Sequence, residues 1–90
     1  MIYRVEYTKT AVNQLKKMDR KIAAFILSYI DERLVNCENP RLSGKALKGN
    51  LNEIWRYRVG DYRILAKIED DRIVVTIVEI GHRKDIYKQK

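Results

Sequence analysis

The sequence predicts an α+β domain in which an antiparallel sheet of about four strands packs against a helical hairpin. Two observations support this prediction. Apolar residues recur every three or four positions over about residues 8–35, which is the spacing of amphipathic helices. After Pro40 the pattern changes to an alternation of apolar and other residues, which is typical of strands that bury one face. The resulting order is β-α-α-β-β-β.

The first half of the chain predicts a strand followed by the two helices. Residues 2–7 are rich in β-forming side chains. Thr8 and Asp19 can each cap a helix, because their side-chain oxygens accept hydrogen bonds from N–H groups of a first turn. The second helix extends to about Val35 and ends before Pro40. The positions at helical spacing are Ala11, Val12, Leu15 and Met18 in the first helix, and Ile22, Phe25, Ile26, Tyr29, Ile30, Arg33 and Leu34 in the second.

The second half predicts a loop and three strands. Glycines within residues 43–50 indicate a loop that carries Lys45 and Lys48. Turn signals at residues 60–61 and 70–71 separate the strands from one another. The last of them is almost continuously β-branched, as expected of a strand that is buried on both faces. The three strands cover residues 53–59, 62–68 and 73–80.

Length and composition exclude several classes of protein. Ninety residues provide one domain, residues 1–90, with one core and a surface site. The longest apolar run has six residues, whereas a membrane span needs about 20, and the N-terminus lacks an apolar signal core, so we expect a cytoplasmic protein. One cysteine and one histidine predict neither a disulfide nor a metal site, and we expect no cofactor. The net charge of +7 indicates an acidic partner, either nucleic acid or protein.

A tight turn at residues 59–62 determines which arginines share a face. It places Arg58 opposite Arg63, with Arg56 two residues away on the same side, and cross-strand partners share a face. Arg56, Arg58 and Arg63 are therefore predicted to project together, away from the core. Like charges that oppose each other are unfavourable unless an anion lies over them. The alternative is that these are ordinary solvent-facing strand residues.

The segment after the last strand is Gly81-His82-Arg83-Lys84-Asp85-Ile86-Tyr87, which combines cations with an aromatic ring. Such a set suits single-stranded RNA, because cations hold phosphates and a ring stacks on a base. Structural interpretations also remain open. His82 can be an exposed residue at the end of a strand, and Tyr87 can close the edge of the core.

The element order and three motifs resemble the RelE/ParE superfamily of bacterial toxin–antitoxin toxins, and the RelE branch in particular. The motifs are Leu47-Lys48-Gly49, Trp55-Arg56-Tyr57-Arg58-Val59-Gly60-Asp61-Tyr62-Arg63 and the 81–87 segment. The resemblance covers essentially the whole chain. It implies a single RelE-like toxin domain, a cytosolic and cofactor-free ribonuclease that enters the ribosomal A site and cuts messenger RNA. It also implies a RelB-like antitoxin that blocks the site, with operator DNA bound only through the toxin–antitoxin complex.

The same resemblance implies roles for individual residues. Arg63 matches the arginine that stabilises the transition-state phosphate, Arg83 the residue near the leaving oxygen, and Tyr87 the aromatic that orients the substrate. Arg56 falls where the family often has a lysine. We also include His82 among the catalytic candidates. The residues expected to bind RNA are Lys45, Lys48, Arg58 and Lys84.

The chemistry of RNA cleavage suits most of these residue types. The 2′-hydroxyl attacks the adjacent phosphate, so the protein must orient the attack, accept a proton, neutralise the phosphorane and protonate the leaving 5′-oxygen. Arginine suits the charge step, because its planar fork matches phosphate oxygens, but it stays protonated and is a poor base. The paired lysines of some family members fall here at Ile54 and Arg56. The base is then His82 or Lys48, or positioning and ribosomal RNA do most of the work.

Two other functions remain open from the sequence. A ParE-type toxin uses the same fold as a non-enzymatic inhibitor of DNA gyrase, and its arginines would be interface residues. A decayed toxin would bind only its antitoxin or nucleic acid. The grouping of Arg63, Arg83 and Tyr87 favours the ribonuclease, because a binding protein does not need that set.

Overall fold

The computed structural model describes residues 2–46 and 54–82. It confirms the α+β class, with two helices packed on a twisted sheet. Within the described ranges, neither helix has the length and apolar character needed to cross a membrane. The elements in chain order are β1 (Arg4–Tyr7), α1 (Lys9–Lys17), α2 (Arg20–Arg33), β2 (Lys45–Ala46), β3 (Ile54–Val59), β4 (Tyr62–Glu69) and β5 (Val74–His82).

The sheet differs from the predicted one in strand number and in one strand direction. It has five strands in the order β1-β5-β4-β3-β2 rather than about four. The added strand is Lys45–Ala46, which pairs antiparallel with Arg56 and Trp55, so the loop predicted at Lys45 was wrong. Two residues are too few to show an alternating pattern. The prediction of a wholly antiparallel sheet was also wrong, because β1 runs parallel to β5, which the long intervening segment of two helices and three strands permits.

Both predicted helix caps are confirmed. The Thr8 hydroxyl accepts a hydrogen bond from the Ala11 N–H at 3.1 Å, and the Asp19 carboxylate accepts one from the Lys21 N–H at 3.1 Å. The second helix ends at Arg33, slightly earlier than predicted. Asn36 follows with φ of 62°, a left-handed conformation that turns the chain away from the helix axis.

The core lies between the helices and one face of the sheet. Ile26 and Ile30 of α2 and Leu34, the residue that caps its C-terminus, are spaced four residues apart and are fully buried against the sheet. Phe25, predicted to belong to the same stripe, is instead 62% exposed. It lies one position before Ile26 and therefore about 100° around the helix, beyond the face that the sheet covers. The strand residues of this core are Tyr57, Val59, Ile64, Ala66, Ile68, Val75, Ile77 and Ile80.

Thr8, the N-cap of α1, and Gln14 within α1 close the edge of β5 that extends beyond β1. The Thr8 hydroxyl donates to the Val78 carbonyl at 2.8 Å. The Gln14 side-chain oxygen accepts a hydrogen bond from the Ile80 N–H at 2.6 Å. On the side of β5 that faces away from β4, these side chains provide the hydrogen bonds that a neighbouring strand would otherwise provide.

Candidate functional site

The predicted register of the arginines is confirmed. Arg58 pairs with Arg63 across β3 and β4, and Arg56 pairs with Leu65. The buried face of β3 carries Tyr57, so the three arginines lie on the alternate positions of the two strands. All three line a single depression in the surface.

This depression, which we call the basic depression, has a volume of about 430 Å³. That is within the range of about 300–1,000 Å³ found for small-ligand pockets. Its walls come from α2, the segment leading into β2, and strands β3 and β4. The lining residues are Tyr29, Arg33, Ser43, Gly44, Lys45, Arg56, Arg58 and Arg63. Five of these side chains are cationic and, among the residues that the structure describes, none in the lining is acidic.

Arg63 is the one charged side chain that is buried within the described part of the chain, with 8% of its surface exposed. Its guanidinium donates a hydrogen bond to the Tyr62 carbonyl at 3.3 Å. In residues 2–46 and 54–82 it forms no ion pair with a carboxylate. Buried charges are normally paired, and a guanidinium carries five N–H donors. Arg63 therefore retains donors for an anion that enters the basic depression.

Lys45 reaches the basic depression because of β2. It is the register partner of Arg56, so both side chains lie on the same face of the sheet. The sequence prediction assigned Lys45 to RNA binding but placed it on a loop. Because Lys45 instead pairs with Arg56 in the sheet, its side chain lies next to Arg56 and on the same face.

Gly44 allows the segment before β2 to lie directly on β3. Its φ is +80°, and a β-carbon there would collide with the Arg56 carbonyl oxygen and lie 2.8 Å from Trp55 Nε1. The Trp55 indole N–H donates a hydrogen bond to the Ser43 carbonyl at 2.6 Å, which also holds this segment against β3. The close approach of these backbones is what places Lys45 beside Arg56.

The contribution of α2 to the basic depression was not predicted from the sequence. Tyr29 and Arg33 are four residues apart and adjacent on the helix surface. The guanidinium carbon of Arg33 lies 5.5 Å from the centroid of the Tyr29 ring, in cation–π contact. One signal was available: Arg33 occupies a position in an otherwise apolar stripe, where a charged residue is unexpected.

A second polar cluster supports the loop that precedes β2. Arg41 donates two hydrogen bonds to the Asp70 carboxylate, at 3.1 and 3.2 Å, and the Tyr3 hydroxyl donates to the same carboxylate at 2.6 Å. The Arg41 guanidinium, followed by the Tyr3 hydroxyl, lowers the pKa of Asp70. Arg41 also lies over the Trp55 ring, with 5.9 Å from its guanidinium carbon to the ring centroid. This cluster joins the loop to the turn between β4 and β5.

His82 lies apart from the arginines. Its register partner is Tyr62, and the two rings meet edge-on with their centroids 5.4 Å apart. Arg63 pairs with Gly81, so the alternation of side chains directs Arg63 and His82 to opposite faces of the sheet. The structure does not bring His82 into the described lining of the basic depression, and its catalytic role stays a prediction.

The remaining sequence candidates lie outside the described residues. They are Lys48, Arg83, Lys84 and Tyr87. Their roles stay predictions. Within residues 2–46 and 54–82, no group of three or more His, Cys, Asp or Glu side chains is placed to hold a metal ion. Burial raises the pKa of the Cys37 thiol, which favours its neutral form.

Comparisons with known proteins place this chain in a family. A profile described as "ParE toxin of type II toxin-antitoxin system, parDE" matches residues 5–87. The chain is 35% identical to Toxin RelE of Mycobacterium tuberculosis over 86 residues, which is 96% of this chain and 87% of that protein. It is 34% identical to Toxin RelG of the same organism over 89 residues, 99% of this chain and 100% of RelG. The chain belongs to the RelE/ParE superfamily of type II toxin–antitoxin toxins.

Solved structures share the fold of this toxin. The toxin–antitoxin complex RelBE2 from Mycobacterium tuberculosis contains a chain that matches it with a TM-score of 0.81 and 31% identity, over 92% of this toxin and 93% of that chain. An E. coli RelE mutant in the free state matches with a TM-score of 0.77 over 99% of this toxin and 94% of that chain. Its identity is 19%, so that match concerns the fold alone. The predicted RelE-like fold is confirmed.

Proposed function

We propose that this toxin is a ribosome-dependent endoribonuclease that cuts messenger RNA in the ribosomal A site by attack of the RNA 2′-hydroxyl. One observation supports the proposal most directly. Arg63 is buried, keeps unused donors and lines a depression together with four further cations. A binding surface alone does not require a buried arginine, because burying a charge costs free energy that surface cations avoid.

The charge step of the reaction is assigned to the arginines. As the phosphorane forms, negative charge develops on its non-bridging oxygens, and Arg63 can donate two parallel hydrogen bonds to them. Arg58, the partner of Arg63 on the neighbouring strand β3, places a second cation near the same anion. Because the side chain of Arg63 is shielded from water, its interaction with this charge is stronger than it would be in solution. Loss of one such donor typically lowers the rate by about 10²–10³-fold.

Proton transfer is assigned to residues beyond the described lining. The arginines cannot serve as the base, since a guanidinium stays protonated near neutral pH. We propose that Arg83 acts near the leaving 5′-oxygen, as acid or charge stabiliser, and that Tyr87 orients the substrate. The 2′-hydroxyl proton is accepted by Lys48 or His82, or the reaction depends mainly on substrate positioning and ribosomal RNA. The position of His82 on the face opposite Arg63 argues against His82 as this base.

We further propose a RelB-like antitoxin as the protein partner. The solved relatives include the RelBE2 complex from Mycobacterium tuberculosis and a RelE–RelB complex from Pyrococcus horikoshii. The net charge of +7 gives this toxin long-range attraction for an acidic protein as well as for RNA. In this proposal the toxin works in the cytoplasm, and operator DNA is contacted only through the toxin–antitoxin complex.

The test is to express the toxin from an inducible promoter and map the 5′ ends of messengers. Codon-phased cuts that disappear in Arg63→Ala and Arg83→Ala support the ribonuclease. Arg72→Ala is the matched control, because Arg72 is an exposed arginine in the turn between β4 and β5 that pairs with Glu69. Purified ribosomes programmed with a defined message repeat the assay without cellular nucleases.

The same experiment separates the gyrase-inhibitor alternative. The family profile that matches this chain is described as a ParE toxin. A gyrase inhibitor would leave messengers intact and stall DNA replication in cells. If induction produces neither cuts nor stalled replication, both functions are contradicted and a toxin that only binds its antitoxin or nucleic acid is favoured.

A further inference from the structure

We propose that Arg33 of α2 binds a backbone phosphate of single-stranded RNA next to the phosphate held at Arg63. This inference rests on the proposed ribonuclease function and adds a second wall to its site. The strands provide Arg56, Arg58 and Arg63, whereas Arg33 comes from a helix on another side of the same depression. An RNA strand lying in the basic depression would therefore meet cations from two directions.

The contacts around Tyr29 hold Arg33 in place. The Arg33 guanidinium lies over the Tyr29 ring, 5.5 Å from its centroid. Tyr29 is itself fixed by two neighbours: its ring lies 6.3 Å from the ring of Tyr57, and its hydroxyl is 3.4 Å from the Ser43 hydroxyl. A long side chain that rests on such a platform loses less conformational freedom when it binds a ligand. Arg33 is thus pre-positioned at the wall of the depression.

The charge of Arg33 is available to a ligand. Its side chain is exposed, and within residues 2–46 and 54–82 it forms no ion pair. Glu32 and Glu38 line a neighbouring depression that Arg33 also borders, so its surroundings on that side are acidic. An anionic ligand is repelled from that side and attracted to the basic depression. The phosphate is therefore expected on the side of Arg63.

A purely structural role for Arg33 is the alternative that the test must separate. A cation in the last turn of a helix interacts favourably with the helix dipole, and Arg33 occupies that turn. Such a role predicts a change in stability without a change in phosphate binding. The salt dependence of binding distinguishes the two, because each phosphate contact releases counterions and adds about 0.7 to the slope for a single strand.

The experiment measures binding of a labelled single-stranded RNA oligonucleotide to full-length toxin over a series of salt concentrations. For Arg33→Ala we expect severalfold weaker binding and a slope of log K against log[salt] that is smaller by about 0.7. Arg33→Lys keeps the charge and is expected to keep the slope. Arg20→Ala, at the other end of α2 and outside the described lining of the basic depression, is the control and is expected to match the wild type.

An unchanged slope in Arg33→Ala, with thermal unfolding showing that the variant is folded, would overturn the inference. The inference would also be overturned if Arg33→Ala binds RNA normally but loses affinity for the antitoxin, because Arg33 would then contact an acidic protein. Cleavage on programmed ribosomes is measured in parallel. If the wild type makes no cuts while the slope still falls, the ribonuclease proposal fails and the phosphate contact stands. If the wild type cuts and the slope is unchanged, only the Arg33 inference fails.

Discussion

Arg58 and Arg63 face each other directly across β3 and β4. Opposed like charges destabilise a pair of strands, and here one of the two side chains is also buried. The arrangement therefore costs folding free energy in the unbound toxin. A phosphate between the two guanidinium groups would remove this repulsion. The pair therefore lowers the stability of the unbound toxin and strengthens its binding of an anion.

Replacement of Arg63 by methionine is expected to stabilise the toxin while removing its activity. A buried charge without a carboxylate partner is exchanged for an apolar side chain of similar length, which removes the cost of taking that charge out of water. We therefore expect the free energy of unfolding to rise, by about 1–4 kcal/mol at most. Cleavage on programmed ribosomes is expected to fall by about 10²-fold or more. Urea denaturation and single-turnover cleavage measure the two effects. Arg72→Met serves as the exposed control, and an Arg63→Met variant less stable than wild type would contradict the prediction.

Gly44→Ala is expected to destabilise the toxin and weaken its binding of RNA. The new methyl group would meet the Arg56 carbonyl and the Trp55 indole, and its φ of +80° is unfavourable for alanine. Because the displaced segment carries Lys45, the cations of the basic depression would separate. We expect a loss of more than about 1 kcal/mol in the free energy of unfolding.

The matched control for this substitution is Gly60→Ala. Gly60 also has a positive φ, of +61°, but a β-carbon there meets no atom within 4 Å. It therefore carries the backbone strain without the collision. Equal losses of stability in the two alanine variants would show that the close approach at Gly44 is unimportant.

The Asp70 cluster predicts a small dependence of stability on pH. The folded pKa of Asp70 is lowered, mainly by Arg41 and then by Tyr3, relative to its ordinary value of 3.8. Its contribution is therefore complete above that ordinary value and is lost as the pH falls through the lower folded pKa. Asp70 is exposed, so the contribution is at most about 1 kcal/mol.

Urea unfolding of wild type and Asp70→Asn tests this dependence. The wild type is expected to be the more stable near neutral pH, and the difference is expected to shrink in strong acid as the carboxylate becomes protonated. Asp71→Asn, at the neighbouring exposed position, controls for the general effect of removing a charge from this turn. A difference that stays constant with pH would mean that the Asp70 charge contributes nothing.

Gln14→Leu is expected to cost about 1–3 kcal/mol of stability, because it removes the acceptor for the Ile80 N–H at the edge of β5. Gln14→Glu keeps an acceptor oxygen at the same position and is expected to be close to wild type. Amide hydrogen exchange at Ile80 reports the local effect, and urea denaturation reports the global one. Unchanged protection of the Ile80 amide in Gln14→Leu would show that another group closes this edge.

Local sequence signals predicted much of this fold. Thr8 and Asp19 were identified as caps because capping depends on residues a few positions apart. The pairing of Arg58 with Arg63 was predicted because a tight turn determines the register of its hairpin. The parallel pairing of β1 with β5 was not predicted, since the sequence of a short strand does not determine the direction of a partner strand about 70 residues away.

The sequence by itself determined the α+β class, the two helix caps and the shared face of Arg56, Arg58 and Arg63, because each follows from spacing along the chain. The tertiary structure decided which other residues join that face. It brought Arg33 and Tyr29 from α2 and Lys45 from β2 to the basic depression, and it directed His82 to the opposite face from Arg63. It also buried Arg63. These outcomes depend on how separate elements pack in space, which no local pattern of residues specifies.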